Sequence, residues 1–392
     1  MGRMTNAAAR TRSLALAFER LLAEGTTTRA ALVEQTGLSK ATVARLVIDL
    51  ERAGLAEAQR IDSEGRPGRR STGVGVPRSL GHTVGLSLGL RSCHAIALDL
   101  AGRETGRLLV PTPAFDDAGQ AVAWAAEFVR GFSASLDGCG PLLRLCLALP
   151  GRVRDGVPIS ALPEPLSVLA GHPFRERLGE ALGAPGLLAS DADMALAGVT
   201  SLGYLEPETS AVLFTMSTVL TVATRTRLGV VEARSSALGD FAALPLALPH
   251  EDRGGAAAPP PSNLGALLSV RGVSDHARAL GVELESTSQL WSSEAPEMEL
   301  LRSRFAAALA AAILVAAITT DPEACVLTGR LARLAAAVQP ELARILGEAL
   351  DEPPRLVVTG DDDNGLTTAL GCAHTALALE QRRFVDRVRE GE

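Results

Sequence analysis

TRAALVEQTGLSKATVARLVIDL, residues 28–50, has the pattern of two short helices joined by a glycine turn. Thr28 stands where an N-cap would begin the first helix, because its hydroxyl can accept a hydrogen bond from a free backbone N–H. Gly37 supplies the turn, since glycine adopts left-handed backbone angles without strain. Ser39 then caps a second helix that runs to Leu50. The stretch therefore predicts a helix-turn-helix.

The second helix has two distinct faces. Its apolar face, which can pack on a small core, consists of Val43, Leu46, Val47 and Leu50. Short polar and basic side chains lie on or near the opposite face, where arginine and lysine suit guanine and phosphate and threonine methyl groups suit thymine. The candidate DNA contacts of this helix are Ser39, Lys40, Thr42 and Arg45. Amphipathic helix pairs also occur in proteins that bind no DNA, so the flanking segments decide the interpretation.

Both flanks favour a winged helix. Upstream, apolar residues at helical spacing predict the third helix of a DNA-binding core; they are Leu14, Phe18, Leu21 and Leu22. Downstream, residues 56–76 read as two short strands around a turn rich in glycine and proline. The tip of this predicted wing carries Arg66, Arg69 and Arg70, which can reach phosphates or a minor groove.

Charge is unevenly divided along the chain. Residues 1–80 hold thirteen basic and eight acidic residues, a net charge of +5, whereas the whole chain carries −7 and the remainder therefore −12. Lys40 is the single lysine of the chain and lies in the proposed recognition helix. A basic module followed by an acidic body indicates that the N-terminal part contacts nucleic acid and the remainder does not.

The composition favours a cytoplasmic protein of two or three domains, given 392 residues and ample apolar material for a core. The five cysteines are scattered without a C-x-x-C pair, which argues against a disulfide framework or a zinc site. Residues 1–13 are polar and basic with no apolar segment behind them, so no signal peptide is expected. The most apolar run, residues 305–319, is alanine-rich and too short for a membrane span, and we expect a buried helix.

From about residue 82 the pattern changes to alternating strands and helices. Strands are predicted at 84–90, 95–100, 107–110, 143–149, 212–216, 220–224, 230–232 and 324–327. Helices are predicted at 118–136, near 174–182, from the segment SDADMALAG (190–198) onward and over much of the chain beyond residue 300. Three strands and a helix, then a repeat of that scheme, indicate an α/β protein with two lobes. We place a winged helix-turn-helix domain at 10–80 and a two-lobed domain at 81–392, with lobes at about 81–195, joined by a C-terminal return, and at 196–370.

The order of motifs resembles the ROK family (repressors, open reading frames, kinases). The motifs are LSKATVARL (38–46), GRPGR (65–69), VGLSLG (84–89) with ALDLAGR (97–103), LALPGRV (147–153), SDAD (190–193), ALGDF (237–241) and DPEACVLTGRL (321–331). Each is weak alone, but their order and spacing are specific. The resemblance implies a winged helix joined to a two-lobed, actin-like domain of the ribonuclease H-like ATPase and sugar kinase fold.

The resemblance also implies which catalytic residues an active kinase would have. Family kinases hold ATP phosphates on an Asp-x-Gly-x-Thr turn, where this chain has Ser87, Gly89 and Arg91. Their second phosphate loop reads Gly-Thr-Gly-x-Gly, where this chain has STVLT at 217–221. Bare backbone at such loops lets N–H groups approach phosphate closely, and phosphoryl transfer depends on that positioning. We therefore expect a protein that is not an enzyme; a sugar kinase with residual ATP-dependent phosphoryl transfer is the alternative.

No metal or other cofactor is expected either. The family's structural zinc is held by a histidine after a Gly-Glu-x-Gly segment and by three later cysteines. The corresponding residues here are Ala243, Pro259, Pro261 and Ala266, none of which can ligate zinc.

The family's sugar-binding residues are partly retained. An Asn-Asp pair, an acidic residue, the zinc-linked histidine and a later glutamate correspond here to Ser190-Asp191, Asp240, Ala243 and Leu268. Asp191 matches the family's catalytic base. The candidate effector-binding residues are Ser190, Asp191 and Asp240. The same residues also fit structural roles, Asp191 as a helix N-cap and Asp240 as a solvated turn residue.

These observations predict a cytoplasmic, nucleoid-associated transcriptional regulator, most simply a repressor of sugar-related genes. Its partners would be double-stranded operator DNA, a sugar or sugar-phosphate effector, and a second copy of the chain in a homodimer or tetramer, because symmetric half-sites call for paired recognition helices. Another alternative is a scaffold that binds DNA constitutively and receives another protein on its acidic body.

Overall fold

The computed structural model describes residues 2–61, 71–159, 162–231, 235, 237–246, 263–360 and 364–391, with the backbone alone at 2–7, 60–61, 71–72 and 364. The chain divides into two units. The first comprises Met1–Ala148, Glu164–Leu188 and Cys372–Glu392, and the second comprises Leu149–Pro163 and Ala189–Gly371. Because the N-terminal helices belong to the same unit as the strands that follow them, a separate domain at 10–80 stays a prediction.

The N-terminal part of the first unit is a winged helix. Its elements are α1 (Gly2–Glu24), β1 (Thr26–Thr27), α2 (Arg29–Thr36), α3 (Lys40–Arg52), β2 (Glu57–Ile61) and β3 (Ser71–Gly75). The three strands form one antiparallel sheet in the order β1-β3-β2. This element order confirms the predicted helix-turn-helix and the two strands of the wing. The wing tip lies outside the described residues, and with it Arg66, Arg69 and Arg70.

Both helix starts and the turn between them follow the predicted capping. The Thr28 hydroxyl accepts a hydrogen bond from the Ala31 N–H at 3.1 Å, and α2 ends at Gly37, whose φ is 67°. The Ser39 hydroxyl accepts from the Thr42 N–H at 3.2 Å at the start of α3. Each cap satisfies a backbone donor that the helix itself leaves free.

The apolar face of α3 forms the core of the winged helix. Its four predicted residues are all buried: Val43, Leu46, Val47 and Leu50. Phe18 and Leu21 of α1 and Leu32 of α2 are buried too, and α3 contacts both of those helices. On the surface, an ion pair of 2.7 Å between Arg10 and Asp49 adds a contact between α1 and α3.

The rest of the first unit is a five-stranded sheet with helices. Its elements are β4 (His82–Leu88), β5 (Ser92–Asp99), β6 (Glu104–Pro111), α4 (Ala118–Ala134), β7 (Leu142–Leu149), α5 (Phe174–Leu182), β10 (Gly186–Ser190) and the part of α12 (Asn364–Glu390) from residue 372 onward. The strand order is β10-β7-β4-β5-β6, in which β4, β5 and β6 are an antiparallel meander and β7 is parallel to β4.

The second unit repeats this scheme. Its strands are β8 (Val153–Arg154), β9 (Val157–Pro158), β11 (Ala211–Met216), β12 (Leu220–Thr226), β13 (Gly229–Val230), β14 (Ala324–Thr328) and β15 (Arg355–Val358). Its helices are α6 (Asp191–Ser201), α7 (Val270–Ala279), α8 (Gln289–Ser292), α9 (Pro296–Thr320), α10 (Ala332–Ala337), α11 (Gln339–Ala349) and the start of α12. An antiparallel β11-β12-β13 meander is again extended by parallel strands, β14 and β15. The sequence missed β8, β9, α7, α8, β15 and the first turn of α9.

The most apolar helix, α9, is longer than the sequence predicted. At 25 residues it has the length and composition of a membrane span, so the expectation that this segment is too short was wrong. Half of its most apolar window is nevertheless buried within the protein, and Phe305, Leu309 and Ile313 belong to the main core of the second unit. This burial supports the predicted core helix.

Truncating a side chain on the buried face of α3 should lower the free energy of unfolding far more than truncating one on the exposed face. Leu50→Ala removes a fully buried side chain and should lower the free energy of unfolding of the winged helix by about 2–5 kcal/mol. Ile48→Ala on the exposed face, where the side chain is 43% exposed, should cost less than about 0.5 kcal/mol. Native-state hydrogen exchange of the α1–α3 amides measures both. Equal exchange rates in the two variants would contradict this packing.

Candidate nucleic-acid interface and ligand site

The exposed face of α3 combines two cations with small apolar groups. Lys40 and Arg45 are exposed, and neither takes part in an ion pair among the described residues. Between them and beyond lie Ala41, Ala44 and Ile48, which are exposed on the same face. Free cations can contact phosphate or guanine, and small apolar groups can contact the thymine methyl. Sequence reasoning missed Ala44 and Ile48, although their spacing from Lys40 and Arg45 places them on this face.

The two hydroxyls at the start of α3 already have partners. The Ser39 hydroxyl caps the helix and lies 2.8 Å from the Thr42 hydroxyl. Ser39 is exposed, whereas Thr42 is partly buried. The structure thus gives Ser39 the structural role of fixing where α3 begins, and direct DNA contact by either hydroxyl stays a prediction.

The candidate ligand site of the second unit is built around Asp191, the first residue of α6. The buried hydroxyl of Ser190 accepts from the Asp193 N–H at 3.2 Å, so Ser190 is the N-cap and the alternative role of Asp191 as the cap was wrong. The Asp191 carboxylate accepts from the Ala192 N–H at 2.8 Å and from the Gly151 N–H. The pKa of Asp191 is raised to about 6, mainly by burial and to a smaller extent by the nearby Asp193, although the two N–H donors and the Arg152 charge oppose the shift.

Arg152 connects this carboxylate with the segment that contains Asp240. The Arg152 guanidinium donates to the Val222 carbonyl of β12 at 2.8 Å. Gly239, with a φ of 69°, packs so closely that a Cβ there would overlap the same guanidinium. Asp191 and the Gly239–Asp240 segment therefore approach one cation, while the Asp240 residue itself is exposed. Arg152 was assigned no role from the sequence. Its position directly after Pro150-Gly151, where β7 ends, could have marked it as a candidate site residue.

The two segments that would hold nucleotide phosphates lack the necessary groups. In the first unit Ser87 is a buried strand residue of β4, and Arg91 is exposed in the turn that follows. In the second unit the β11–β12 turn places Val219 outward, 59% exposed, and closes with a 3.3 Å hydrogen bond from the Ser217 N–H to the Val219 carbonyl. Side chains stand where a phosphate loop needs bare backbone N–H groups.

The zinc-ligand positions do not fit a metal. Ala243 and Ala266 carry only methyl groups. Leu268, at the position of the family's sugar-binding glutamate, is fully buried in the main core of the second unit. Pro259 and Pro261 lie outside the described residues. A cavity of about 420 Å³ lies beside Ala266, bounded by the β11–β12 turn and by α7. Among the described zinc-ligand positions, Ala266 thus borders a space of ligand size rather than a metal site.

The pKa of Asp191 predicts how stability changes with pH. Its pKa is about 6 in the folded protein against an ordinary value of 3.8, so folding takes up a proton between these values. The ionised form is therefore the unfavourable one, and stability falls as pH rises from about 4 to above 6. Asp191→Asn should raise the thermal midpoint at pH 7.5 and do so less at pH 5. Asp351→Asn, an exposed aspartate of the same unit, is the control; identical behaviour of the two variants would contradict the burial of Asp191.

Comparison with known proteins identifies a helix-turn-helix domain at the N-terminus. The IclR helix-turn-helix domain model matches residues 18–60, from the second half of α1 into β2. A search of curated proteins found no significant match.

Among solved structures, the chain is similar to a ROK family transcriptional regulator described as a homologue of the E. coli MLC protein. The identity is 16% and the TM-score 0.71, over 98% of this chain and 100% of that one. It is also similar to a ROK hexokinase from Thermus thermophilus (25% identity, TM-score 0.60, 77% and 99% of the two chains). A third is a ROK family glucokinase from Streptomyces griseus in complex with glucose and AMPPNP (16% identity, TM-score 0.55, 76% and 99%).

The coverage of these matches separates the two functional classes. The kinases match about three quarters of the chain, whereas the regulator matches nearly all of it. The chain thus joins an IclR-type helix-turn-helix domain to a body with the fold of the ROK family, as its motifs predict, and this combination fits a transcriptional regulator better than a sugar kinase.

Proposed function

We propose that the protein is a cytoplasmic transcriptional repressor that binds operator DNA as a homodimer. The observation that carries the proposal is the exposed face of α3, with Lys40 and Arg45 unpaired among the described residues on a basic N-terminal module. A recognition helix of this kind enters the major groove. The arginines of the wing, from Arg66 to Arg70, would add phosphate or minor-groove contacts. Two copies would read half-sites about one helical turn, ~34 Å, apart.

The second unit would sense a sugar or a sugar phosphate. Asp191 offers a carboxylate that can accept hydrogen bonds from sugar hydroxyls. The Arg152 guanidinium beside it can donate to a sugar oxygen or pair with a phosphate. Ser190 is buried in its role as a helix cap, so we assign it a supporting role, and the exposed Asp240 would contact a ligand from the other side of Arg152.

The protein would not act as a kinase. Phosphoryl transfer needs both phosphate-binding segments, and the observed Ser87 and Val219 supply neither a magnesium-binding carboxylate nor bare backbone. Asp191 alone can accept a proton from a hydroxyl but cannot position a nucleotide. Product formation from ATP and glucose, N-acetylglucosamine or N-acetylmannosamine, abolished by Asp191→Ala, would instead support the kinase.

Fluorescence anisotropy with DNA from upstream of the protein's own gene, over a salt series, tests DNA recognition. We expect tight, sequence-selective, salt-dependent binding. The double change Arg69→Ala and Arg70→Ala should weaken it and lower the slope of log K against log [salt] by roughly 0.9 for each phosphate that the protein no longer neutralises. Arg130→Ala, an exposed arginine of α4, is the matched control and should leave the slope unchanged. An unchanged slope in the wing variant would remove the wing from the interface.

A sugar panel in the same assay tests the sensor. An effector must bind the DNA-competent and DNA-free states unequally, since equal affinity shifts nothing. We expect one sugar or sugar phosphate to raise the Kd for DNA, and Asp191→Asn to reduce the ratio of the Kd values with and without that compound. Asp351→Asn serves again as the control. If no compound changes DNA affinity or the thermal midpoint, the second unit is a dimerisation scaffold.

A further inference from the structure

We propose that the second unit contains a second ligand site, a cavity beside α7 that binds a small organic carboxylate. The cavity, here called the α7 cavity, has a volume of about 420 Å³ and is bounded by the β11–β12 turn, the segment around Ala266 and α7. Arg152, Ser190, Asp191 and Asp240 are not among the described residues that line it. The inference therefore goes beyond the proposed sugar site, and it does not rest on the proposed DNA binding.

The α7 cavity and the start of α6 belong to opposite faces of the sheet. Successive side chains of a strand point to opposite faces. On one face of β11, Val212, Phe214 and Met216 pack in the core that includes Val273 and Ala277 of α7. On the other face, Leu213 packs in the cluster that includes Ala192 and Ala195 of α6. A ligand beside α7 would thus lie in a different place from one bound at Asp191.

Hydrogen bonds join the three walls of the α7 cavity. The Ser269 hydroxyl accepts from the Gly272 N–H at 3.1 Å at the start of α7 and donates to the Gly265 carbonyl at 2.6 Å. The Val270 N–H donates to the Ser217 carbonyl of the β11–β12 turn at 2.8 Å. A Cβ on Gly272 would overlap the Gly265 carbonyl, so these walls are in direct contact. The space is therefore formed by the protein itself before any ligand enters.

His276 presents a buried hydrogen-bond donor at this cavity. Its side chain lines the cavity, although the residue is only 6% exposed. The Arg304 Nη1 lies 2.7 Å from the His276 Nε2, and because a guanidinium can only donate, the ring proton must be on Nδ1. Burial and then the Arg304 charge lower the pKa of His276, so the ring stays neutral. No described residue accepts the Nδ1 proton, which leaves this donor for a ligand.

The charges around the cavity are predominantly positive. Arg304 forms no ion pair within the described part of the chain. Arg271, which lines the cavity with a side chain 85% exposed, lies 3.9 Å from Asp275, and Asp275 also pairs with Arg278 at 2.8 Å. Three guanidinium groups against one carboxylate leave two positive charges, in a chain whose net charge is −7. Such a local excess of positive charge attracts an anion.

The lining favours a carboxylate with an apolar body over a phosphate. The Asn263 side-chain oxygen accepts from the Ala266 N–H at 3.0 Å, so its amide N–H groups add to the donors of Arg271 and His276. A planar carboxylate matches a guanidinium with two parallel hydrogen bonds. A phosphate would need bare backbone N–H groups at the β11–β12 turn, where Val219 stands. The remaining walls suit a hydrocarbon group; they are formed by Val219, Leu220, Ala242, Ala266 and Ala279.

A ligand-observed NMR titration of the full chain tests the ligand class. The probes are benzoate and isovalerate, and their controls are benzamide and isovaleramide, which have nearly the same shape without the charge. We expect a Kd below about 10 mM for at least one acid, a range that ligands of this size reach. The corresponding amide should bind at least about fivefold more weakly, because it cannot form the charged pair with Arg271.

Two substitutions test the place of binding. Arg271→Met removes the cation at the mouth, and Ala266→Leu fills part of the space, so each should raise the Kd of the acid about fivefold or more. Arg278→Met is the matched control, because Arg278 lies on the same helix and pairs with Asp275 but does not line the cavity. It should leave the Kd within about twofold of the wild type. Thermal midpoints verify folding; if Ala266→Leu does not fold, Ala279→Leu at an exposed lining position replaces it.

Histidine-selective ¹⁵N labelling gives a second readout at the site. The chain has six histidines, and the ring signals of His276 are identified by their absence from His276→Asn. Saturating acid should shift the signals of His276 more than those of the other five histidines, since His276 alone among them lines the α7 cavity.

The contrary outcomes are equally specific. Equal affinities for each acid and its amide, or no binding of either acid, would overturn the inference. Tighter binding of ADP or inorganic phosphate than of benzoate, lost in Arg271→Met, would identify a phosphate site instead and overturn it as well. Because these assays contain no DNA, a failure of operator binding would contradict the proposed function and leave this result unchanged.

Discussion

The first unit depends on satisfying the buried carboxylate of Asp99. A carboxylate without access to water is tolerated only when donors surround it, and here the donors come from its own turn and from Arg103. Because Arg103 uses its Nε for this purpose, its two terminal nitrogens point to the wing strand and to Val76. A local requirement of the β5–β6 turn thereby provides a contact between this turn and the winged helix.

The second unit keeps a kinase-like arrangement of strands, while apolar residues occupy the positions that the family resemblance assigns to zinc ligands, a sugar contact and a phosphate loop. Leu268 is part of the core, Ala243 and Ala266 are methyl groups, and Val219 stands at the tip of the β11–β12 turn. Asp191 is the exception, because a partly buried carboxylate with a raised pKa is costly to retain for packing alone.

Sequence patterns predicted the parts of the fold that local chemistry decides. Capping by Thr28 and Ser39, the periodicity of α3 and the strands of both meanders needed only neighbouring residues. The short strand β15 was missed because it is defined by its pairing with β14, and α7 was missed between segments with little periodicity. The contacts of Arg152 with Val222 and of Arg103 with Val76 could not be predicted, because each joins residues far apart in the chain. Only those residues of the proposed ligand site that lie in recognisable motifs, Ser190, Asp191 and Asp240, could be predicted from the sequence.

A sugar sensor has a requirement that a kinase does not. A kinase converts its sugar and releases a different molecule, whereas a sensor must return the sugar unchanged so that occupancy follows concentration. A carboxylate such as Asp191 without the two phosphate segments would meet this requirement, since it can bind a hydroxyl but cannot position a nucleotide. The remaining requirement is a difference in affinity between two conformations, and a carboxylate at the start of α6 provides it only if α6 moves.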